Sequence, residues 1–286
     1  MGLYAYRHVI ANERTCYRLV HRLRWPAGVA CPACGHGATW AMAERGSVRY
    51  RCKACGRHFS LRTGTVLERS RLPLTKWVLA VGLFRVGISA RALADELAVS
   101  VRIAWRLLHT LRGALQRDVL LRKLRGQIEV DDTYVGGRHK GKRGRGAARK
   151  TIVLGLKVRR GQVRSLVIPS LATADVHALL RQHVARGAHL FTDELSSYNR
   201  VRRLGVRHRR VPHSERFVRG QTHTQGIEGH WGHVKPTLVA RHRSVSPHYL
   251  QRYLVEADVK HRFPKHEDFI AFVLRRLLVP ASGFTH

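Results

Sequence analysis

Acidic residues are scarce in this chain. Its 286 residues include 53 Lys and Arg but only 18 Asp and Glu, which gives a formal net charge of +35. A surface this basic repels itself unless a polyanion neutralises it. A basic run is often only a solvated face, but here the excess extends from one end of the chain to the other. The charge balance therefore predicts a protein that binds nucleic acid.

Long apolar runs are also missing. The longest, residues 77–84, lies between Lys76 and Arg85 and is far shorter than the roughly 18 residues that a membrane span needs. The first 20 residues contain no apolar segment typical of a signal peptide. We therefore exclude a transmembrane protein and expect a cytoplasmic one. A composition of 44% hydrophobic and 25% charged residues is globular, and the length suggests about two domains.

Cysteines are few, and their spacing excludes a disulfide framework. Four of the five form two Cys-x-x-Cys pairs separated by 17 residues: Cys31, Cys34, Cys52 and Cys55. This spacing predicts one structural Zn²⁺ bound by four thiolates, with no open position for a catalytic water. Gly35 and Gly56 follow the pairs and let the backbone turn its amides toward the sulfurs. We expect the fifth cysteine, Cys16, to be a small buried hydrophobic residue.

The residue pattern divides the chain into several parts. Helical periodicity extends over residues 75–115, whereas from residue 127 strands alternate with helices. Three successive strands, then a helix, a strand, a helix and a strand, predict an α/β domain with a mixed five-stranded sheet covered by helices. The predicted parts are a helical lead-in (1–30), a zinc ribbon (31–62), a helix-turn-helix segment (63–118), a catalytic domain (125–264) and a C-terminal helix and tail (265–286).

Two of the predicted helices resemble a DNA-binding helix-turn-helix. They cover Ala90–Leu97 and residues 101–115, and the second would enter the major groove. We expect four apolar side chains to face inward: Leu93, Leu97, Val101 and Trp105. Arg102, Arg106 and His109 would lie on the polar face and reach bases or phosphates. An ordinary three-helix packing unit is the alternative.

Three carboxylates stand out in the basic second half of the chain. Asp131 lies on the first predicted strand, Asp193 closes a later isolated strand, and Glu228 lies on a helix, with 34 residues between it and Asp193. Such a set is suited to two Mg²⁺ ions, or Mn²⁺, about 4 Å apart. Mg²⁺ prefers oxygen ligands and keeps several waters, which leaves room for a nucleophile and a phosphate oxygen. We assign the neighbouring acids to surface or capping positions: Glu129, Asp132 and Glu194.

Several short motifs follow one another along nearly the whole chain. They are Leu23-Arg24-Trp25-Pro26 before Cys31-Pro32-x-Cys34-Gly35, then Thr63-Gly64-Thr65, Glu129-Val130-Asp131-Asp132-Thr133-Tyr134-Val135-Gly136-Gly137, Thr192-Asp193-Glu194, Gly226-Ile227-Glu228-x-x-Trp231 and Leu250-Gln251-Arg252-Tyr253-Leu254. On these motifs the chain resembles a DDE transposase of a bacterial insertion sequence, in the branch related to Merlin elements that carries an N-terminal zinc ribbon.

This resemblance implies a fold and an activity. The fold is an RNase H-like catalytic domain in which Asp131, Asp193 and Glu228 are the metal-binding acids. The activity is cutting at the inverted repeats that bound the element, followed by joining of the freed 3′ ends to target DNA. Three positions depart from the family pattern: Gln225 replaces Asn, His230 replaces Phe, and Pro236 replaces a basic residue. We expect Pro236 to end or kink its helix.

Basic residues around the three acids are predicted to bind double-stranded DNA. A loop after the first strand of the catalytic domain is rich in Lys and Arg and would lie along the DNA backbone: Arg138, Lys140, Lys142, Arg143, Arg145, Arg149 and Lys150. A disordered solubilising loop is the alternative. Lys235, seven residues after Glu228, returns to the same face of its helix and would hold a phosphate near the scissile bond. Because two DNA ends must be paired, we expect a homodimer or higher multimer on DNA.

Two other functions fit the same features. One is a catalytically silent DNA-binding regulator descended from a transposase, and the retained acids argue against it. The other is a nuclease of the same fold that cleaves without joining.

Overall fold

The computed structural model describes residues 12–44, 47–119, 122–136, 150–211 and 224–279. Its helices are α1 Glu13–Arg24, α2 Leu74–Val86, α3 Ala90–Leu97, α4 Val101–Val119, α5 Thr173–His183, α6 Gln225–His242, α7 Pro247–Arg262 and α8 His266–Leu278. Its strands are β1 Thr39–Glu44, β2 Ser47–Cys52, β3 His58–Ser60, β4 Gln127–Val135, β5 Thr151–Val158, β6 Val163–Ile168, β7 His189–Thr192 and β8 Arg207–Arg210. Within these ranges, no helix has the length and hydrophobicity needed to cross a membrane.

The chain forms two compact units. The first comprises Met1–Ala114 together with Phe263–His286, and the second comprises Leu115–Arg262. The last helix, α8, therefore belongs to the first unit although it is far from α1 in sequence. It packs against α1 and α2, and Leu277 accepts a backbone hydrogen bond from Val66 over 3.3 Å.

The predicted lead-in helix is confirmed as α1. Asn12 caps it by accepting a hydrogen bond from the Thr15 amide at 2.9 Å, as short polar side chains do at helix starts. Cys16 is fully buried on its inner face, as predicted. At its end the Arg24 guanidinium donates to the carbonyls of Ser60, Leu61 and Thr63 and stacks on Trp25. These contacts join α1 to the segment that follows the antiparallel sheet β1-β2-β3.

The predicted helices of the helix-turn-helix segment are confirmed as α2, α3 and α4, but part of their predicted packing is wrong. Val101 and Trp105, expected inside, are 45% and 38% exposed, whereas His109, expected on the polar face, is 5% exposed. The left-handed backbone of Ala98 (φ 46°) redirects the chain between α3 and α4. The apolar stripe of α4 therefore starts later, and its buried apolar residues are Ala104, Leu107, Leu108, Leu111, Ala114 and Leu115.

The second unit contains the predicted mixed five-stranded sheet, so the α/β fold class is confirmed. The strand order is β6-β5-β4-β7-β8, in which β4 pairs antiparallel with β5 and parallel with β7. Residues alternate between its two faces. Leu154 and Leu156 lie in the core that includes α5, whereas Val153 packs with Ile227 and Trp231 of α6.

Helix α6 is longer than the sequence predicts. We expected Pro236 to end or kink it; the helix continues through Pro236 to His242, so an end at the proline is wrong, while a kink stays a prediction. Val234 and Leu238, on either side of the proline, are both buried in the core with β5 and β6. Their burial holds the helical turns before and after the residue that lacks an amide donor.

Candidate functional site

The four predicted zinc ligands come together in the first unit. All four sulfur atoms lie within 4.8 Å of one another. The Sγ atoms of Cys31 and Cys55 are 3.7 Å apart, and those of Cys34 and Cys52 are 3.6 Å apart. Tetrahedral Zn²⁺ with Zn–S bonds of about 2.3 Å places its sulfurs about 3.8 Å apart. The cluster is therefore a metal-binding site whose donors and spacing fit one structural Zn²⁺.

The two cysteine pairs have the same backbone geometry. The Gly35 amide donates to the Cys31 carbonyl at 2.8 Å, and the Gly56 amide donates to the Cys52 carbonyl at 3.1 Å. Both glycines have positive φ, 76° and 70°, which glycine adopts without steric cost. Backbone amides, that of Cys55 first, lower the pKa of the Cys52 thiol and favour the thiolate that zinc binds.

A cluster of carboxylates forms where the parallel pairing of β4 with β7 ends. Oxygens of Asp131, Asp132 and Asp193 all lie within 4.8 Å of one another. Asp131 lies in the middle of β4 and Asp193 directly follows β7; the last register pair of the two strands, Val130 with Thr192, brings the two acids side by side. Two of the three predicted acids therefore meet.

Asp132 is a member of this cluster that the sequence analysis missed. We assigned it to a surface or capping position, as single acids more often are, and alternation along β4 also places its side chain opposite that of Asp131. The useful signal was its position directly after Asp131, an acid already assigned to the site.

Glu228, the third predicted acid, is outside the 4.8 Å cluster but close to it. It lies in the first turn of α6, where Thr224 Oγ1 donates to its Oε1 at 2.8 Å. Its charge is near enough to raise the pKa of Asp131. The exposed Glu228 carboxylate therefore borders the cluster.

Asp131 is partly buried and surrounded by negatively charged side chains. Burial raises its pKa to about 7, with further contributions from Asp132, Asp193 and Glu228, while a hydrogen bond from Trp231 lowers it. The Trp231 Nε1 donor is 3.1 Å from Oδ2 of Asp131. Crowded negative charge in a strongly basic chain is the arrangement that a bound divalent cation would stabilise.

One predicted basic residue lies beside the acids, and a second lies near the first. Burial lowers the pKa of Lys235, the charges of Asp131 and Asp132 act to raise it, and Lys150 acts to lower it. Lys235 is thus close enough to the cluster to interact with it, and Lys150 is close enough to interact with Lys235. The remaining predicted loop residues, Arg138, Lys140, Lys142, Arg143, Arg145 and Arg149, lie outside the described residues.

Of the other two acids assigned to surface or capping positions, one is exposed and the other is buried. Glu194 is exposed, as expected. Glu129 is only 2% exposed, so a surface position is wrong. Its Oε2 accepts from the Ile227 amide at 3.0 Å, and Glu129 thus caps the first turn of α6.

His230 is accommodated by a buried polar network rather than by an apolar pocket. Its Nε2 lies 3.1 Å from Asp258 Oδ1 and 3.2 Å from Ser165 Oγ. Ser165 also donates its amide and its hydroxyl to Asp258, each over 2.7 Å. The network links α6 to β6 and α7.

The predicted DNA-reading arginines are placed where a ligand could reach them. Arg102 and Arg106 are both exposed on α4. Their role in binding DNA stays a prediction.

The chain combines a four-cysteine ribbon with a mixed sheet in which acids lie side by side on adjacent parallel strands. This combination is typical of DDE transposases with an RNase H-like domain. Family models agree with this class. Residues 123–261 match the ISXO2-like transposase domain, and residues 11–58 match the transposase zinc-ribbon domain.

Individual relatives point the same way. The chain is 31% identical over 263 residues to a protein in the transposable element ISH50 of Halobacterium salinarum, covering 85% of this chain and 88% of the relative. It is 25% identical over 97 residues to a transposase-like protein of Haemophilus influenzae, covering 34% of this chain and 78% of that protein. The chain belongs to the ISXO2-like transposases that carry a zinc ribbon. The similarity is not specific to Merlin elements.

Proposed function

We propose that this chain is an insertion-sequence transposase that binds terminal inverted repeats, cleaves a DNA strand with divalent metal ions and joins the freed 3′ end to target DNA. The observation that carries the proposal is the convergence of Asp131 and Asp132 of β4 with Asp193, which directly follows β7. The family supports DNA transposition as the overall process.

The residues present fit a pair of divalent ions. Asp131 and Asp193, with Glu228 beside them, supply the carboxylate oxygens that Mg²⁺ or Mn²⁺ prefers, and Asp132 adds one more donor. Bound there, two such ions would activate the attacking oxygen and stabilise the leaving oxygen. The chain itself contributes the alignment: β4 and β7 hold two acids in register, and Trp231 orients Asp131 through its N–H.

Basic residues would hold the DNA across this site. Lys235, beside the acids, and Lys150, near Lys235, are suited to phosphates near the scissile bond. The basic loop at 138–150 would follow the backbone, while Arg102 and Arg106 of α4 would reach the major groove of the inverted repeat. Two ends must be brought together for joining, so we propose a dimer or higher multimer on DNA.

The experiment uses labelled DNA from the borders of the element, purified protein, and Mg²⁺ compared with EDTA, with Asp131→Asn as the control. We expect nicks at a fixed border position followed by transfer of the 3′ end, both absent from the mutant. Cleavage without transfer would indicate the nuclease alternative. Tight binding without cleavage would indicate a silent regulator.

A further inference from the structure

Glu129 links the strand of one acid to the helix of another. It lies two residues before Asp131 on β4, so both side chains are on the sheet face covered by α6. The buried Glu129 carboxylate accepts from the Ile227 amide at 3.0 Å, one residue before Glu228. The start of the helix that carries Glu228 is thus fixed directly to the strand that carries Asp131.

The Glu129 carboxylate is also connected to β7, the strand that Asp193 directly follows. Arg159 Nε lies 3.3 Å from Glu129 Oε1, and its guanidinium stacks 4.0 Å from the ring centroid of Phe191. Phe191 is the register partner of Glu129 on β7 and lies two residues before Asp193. Contacts through Glu129 and Arg159 therefore connect α6, β4 and β7, two residues before Asp131 on β4 and two residues before Asp193.

Gly226 lets the helix approach this row closely. A Cβ atom there would lie 2.6 Å from Glu129 Oε2, closer than side chains tolerate. On the other side, Lys157 Nζ donates to the Gly226 carbonyl at 2.9 Å. The absence of a side chain at Gly226, together with the charged groups of Glu129 and Lys157, therefore determines how closely α6 approaches the sheet.

We propose that Glu129 is a positioning residue that sets the place of Glu228 relative to Asp131 and Asp193, and so sets the affinity of the site for divalent cations. This inference rests on the proposed function, because it takes the acids as metal ligands. Groups that orient metal ligands typically change metal affinity by about 10- to 100-fold when removed.

A matched control exists in the first unit. Glu13 also caps a helix with its carboxylate, accepting from the amides of Leu74 at 2.7 Å and Thr75 at 3.0 Å. Removing it disrupts the same kind of contact in the unit that does not contain the acids. Glu13 also lies 3.9 Å from Arg62, so Glu13→Ala, like Glu129→Ala, loses a helix cap and an arginine partner.

The experiment is calorimetric titration of the zinc-loaded full-length protein with Mn²⁺ in the absence of DNA. We expect Glu129→Ala to weaken Mn²⁺ binding by about 10-fold or more, and Glu13→Ala to leave it unchanged. Glu129→Gln, which keeps an oxygen acceptor for the Ile227 amide, should recover part of the affinity. Amide hydrogen exchange of the first turn of α6 should accelerate in Glu129→Ala only.

The outcomes separate the two claims. If Asp131→Asn fails to weaken Mn²⁺ binding, the proposed metal site is wrong and the positioning role falls with it. If Asp131→Asn weakens binding while Glu129→Ala equals the wild type or Glu13→Ala, only the positioning role is wrong. Should Glu129→Ala not fold, as judged by circular dichroism, Gly226→Ala and Glu129→Gln provide the same comparison.

Discussion

The indole N–H of Trp231 donates to the carboxylate of Asp131 over 3.1 Å, which joins α6 to β4 at the candidate metal site. Gly155 makes this contact possible. It is the register partner of Asp131 on β5, and a Cβ there would lie 2.4 Å from Trp231 Cζ2 and 2.6 Å from Ile227 Cδ1. The helix can therefore lie on the sheet only because residue 155 has no side chain.

Gly155→Ala is expected to destabilise the protein by about 1–3 kcal/mol, because overpacking forces the helix off the sheet. It should also reduce metal-dependent cleavage, since Trp231 moves away from Asp131. Gly232→Ala is the matched control: it lies on α6, where an added Cβ would meet no atom within 4 Å, and alanine favours helix by up to about 1 kcal/mol. Equal melting temperatures for the two variants would contradict the packing argument.

Cys52→Ser is expected to lose zinc and unfold the ribbon, because three thiolates and a hydroxyl bind Zn²⁺ far less well than four thiolates. The measurement is zinc content by atomic absorption, together with the circular dichroism spectrum. Cys16→Ala removes a buried cysteine outside the cluster and should keep its zinc. A Cys52→Ser protein with unchanged zinc content would disprove the assignment.

Acid should weaken the second unit through His183. Burial, then the charges of Arg164 and Lys123, lower its pKa to about 4, and the neutral ring nitrogen lies 3.0 Å from Arg164 Nη1. The unfolded chain binds a proton near the ordinary pKa of about 6.5, but the folded chain does not. The contribution of His183 to the free energy of unfolding is therefore fully present above that pH and declines as the pH falls toward 4.

The test compares melting temperatures at pH 7 and pH 5. The melting temperature of His183→Gln should decrease less than that of the wild type. Part of the decrease should remain, because the pKa of His208 is also lowered to about 4. His248→Gln changes an exposed histidine and should keep the full decrease. An identical decrease in all three proteins would rule out His183 as the source.

Replacing Arg102 and Arg106 by Ala should weaken binding to the inverted repeat. Each lost phosphate contact lowers the slope of log affinity against log salt by about 0.9, whereas a lost base contact reduces sequence preference instead. Band shifts at several salt concentrations distinguish the two roles. Arg275→Ala removes one exposed charge from α8 and is the charge-matched control for each single variant, Arg102→Ala or Arg106→Ala. If Arg275→Ala weakens binding as much as these variants do, α4 is not the reading helix.

Local patterns were sufficient to predict much of this structure. Alternating residues predicted a strand from residue 127, which is observed as β4, and cysteine spacing predicted the zinc cluster. Asp131, on the first predicted strand, and Asp193, at the end of a later one, were expected to bind metal together, and their oxygens lie within 4.8 Å of each other. These features depend on periodicity and spacing, which a single sequence displays directly.

Features set by tertiary contacts were predicted less well. The phase of α4 depends on the left-handed turn at Ala98, and α6 continues past Pro236 because its flanking turns are buried. The role of Glu129 depends on the amide of Ile227, 98 residues away. Nothing in the local sequence of β4 indicates that partner.

The most direct test of the central claim is Asp193→Asn. Asparagine keeps the Oδ1 acceptor that receives the Leu195 amide at 3.0 Å, so the fold should be preserved while a metal-binding charge is lost. We expect band shifts on border DNA to match the wild type and Mg²⁺-dependent cleavage to disappear. Cleavage at the wild-type rate would contradict the proposed metal site, and loss of DNA binding would show that Asp193 is structural.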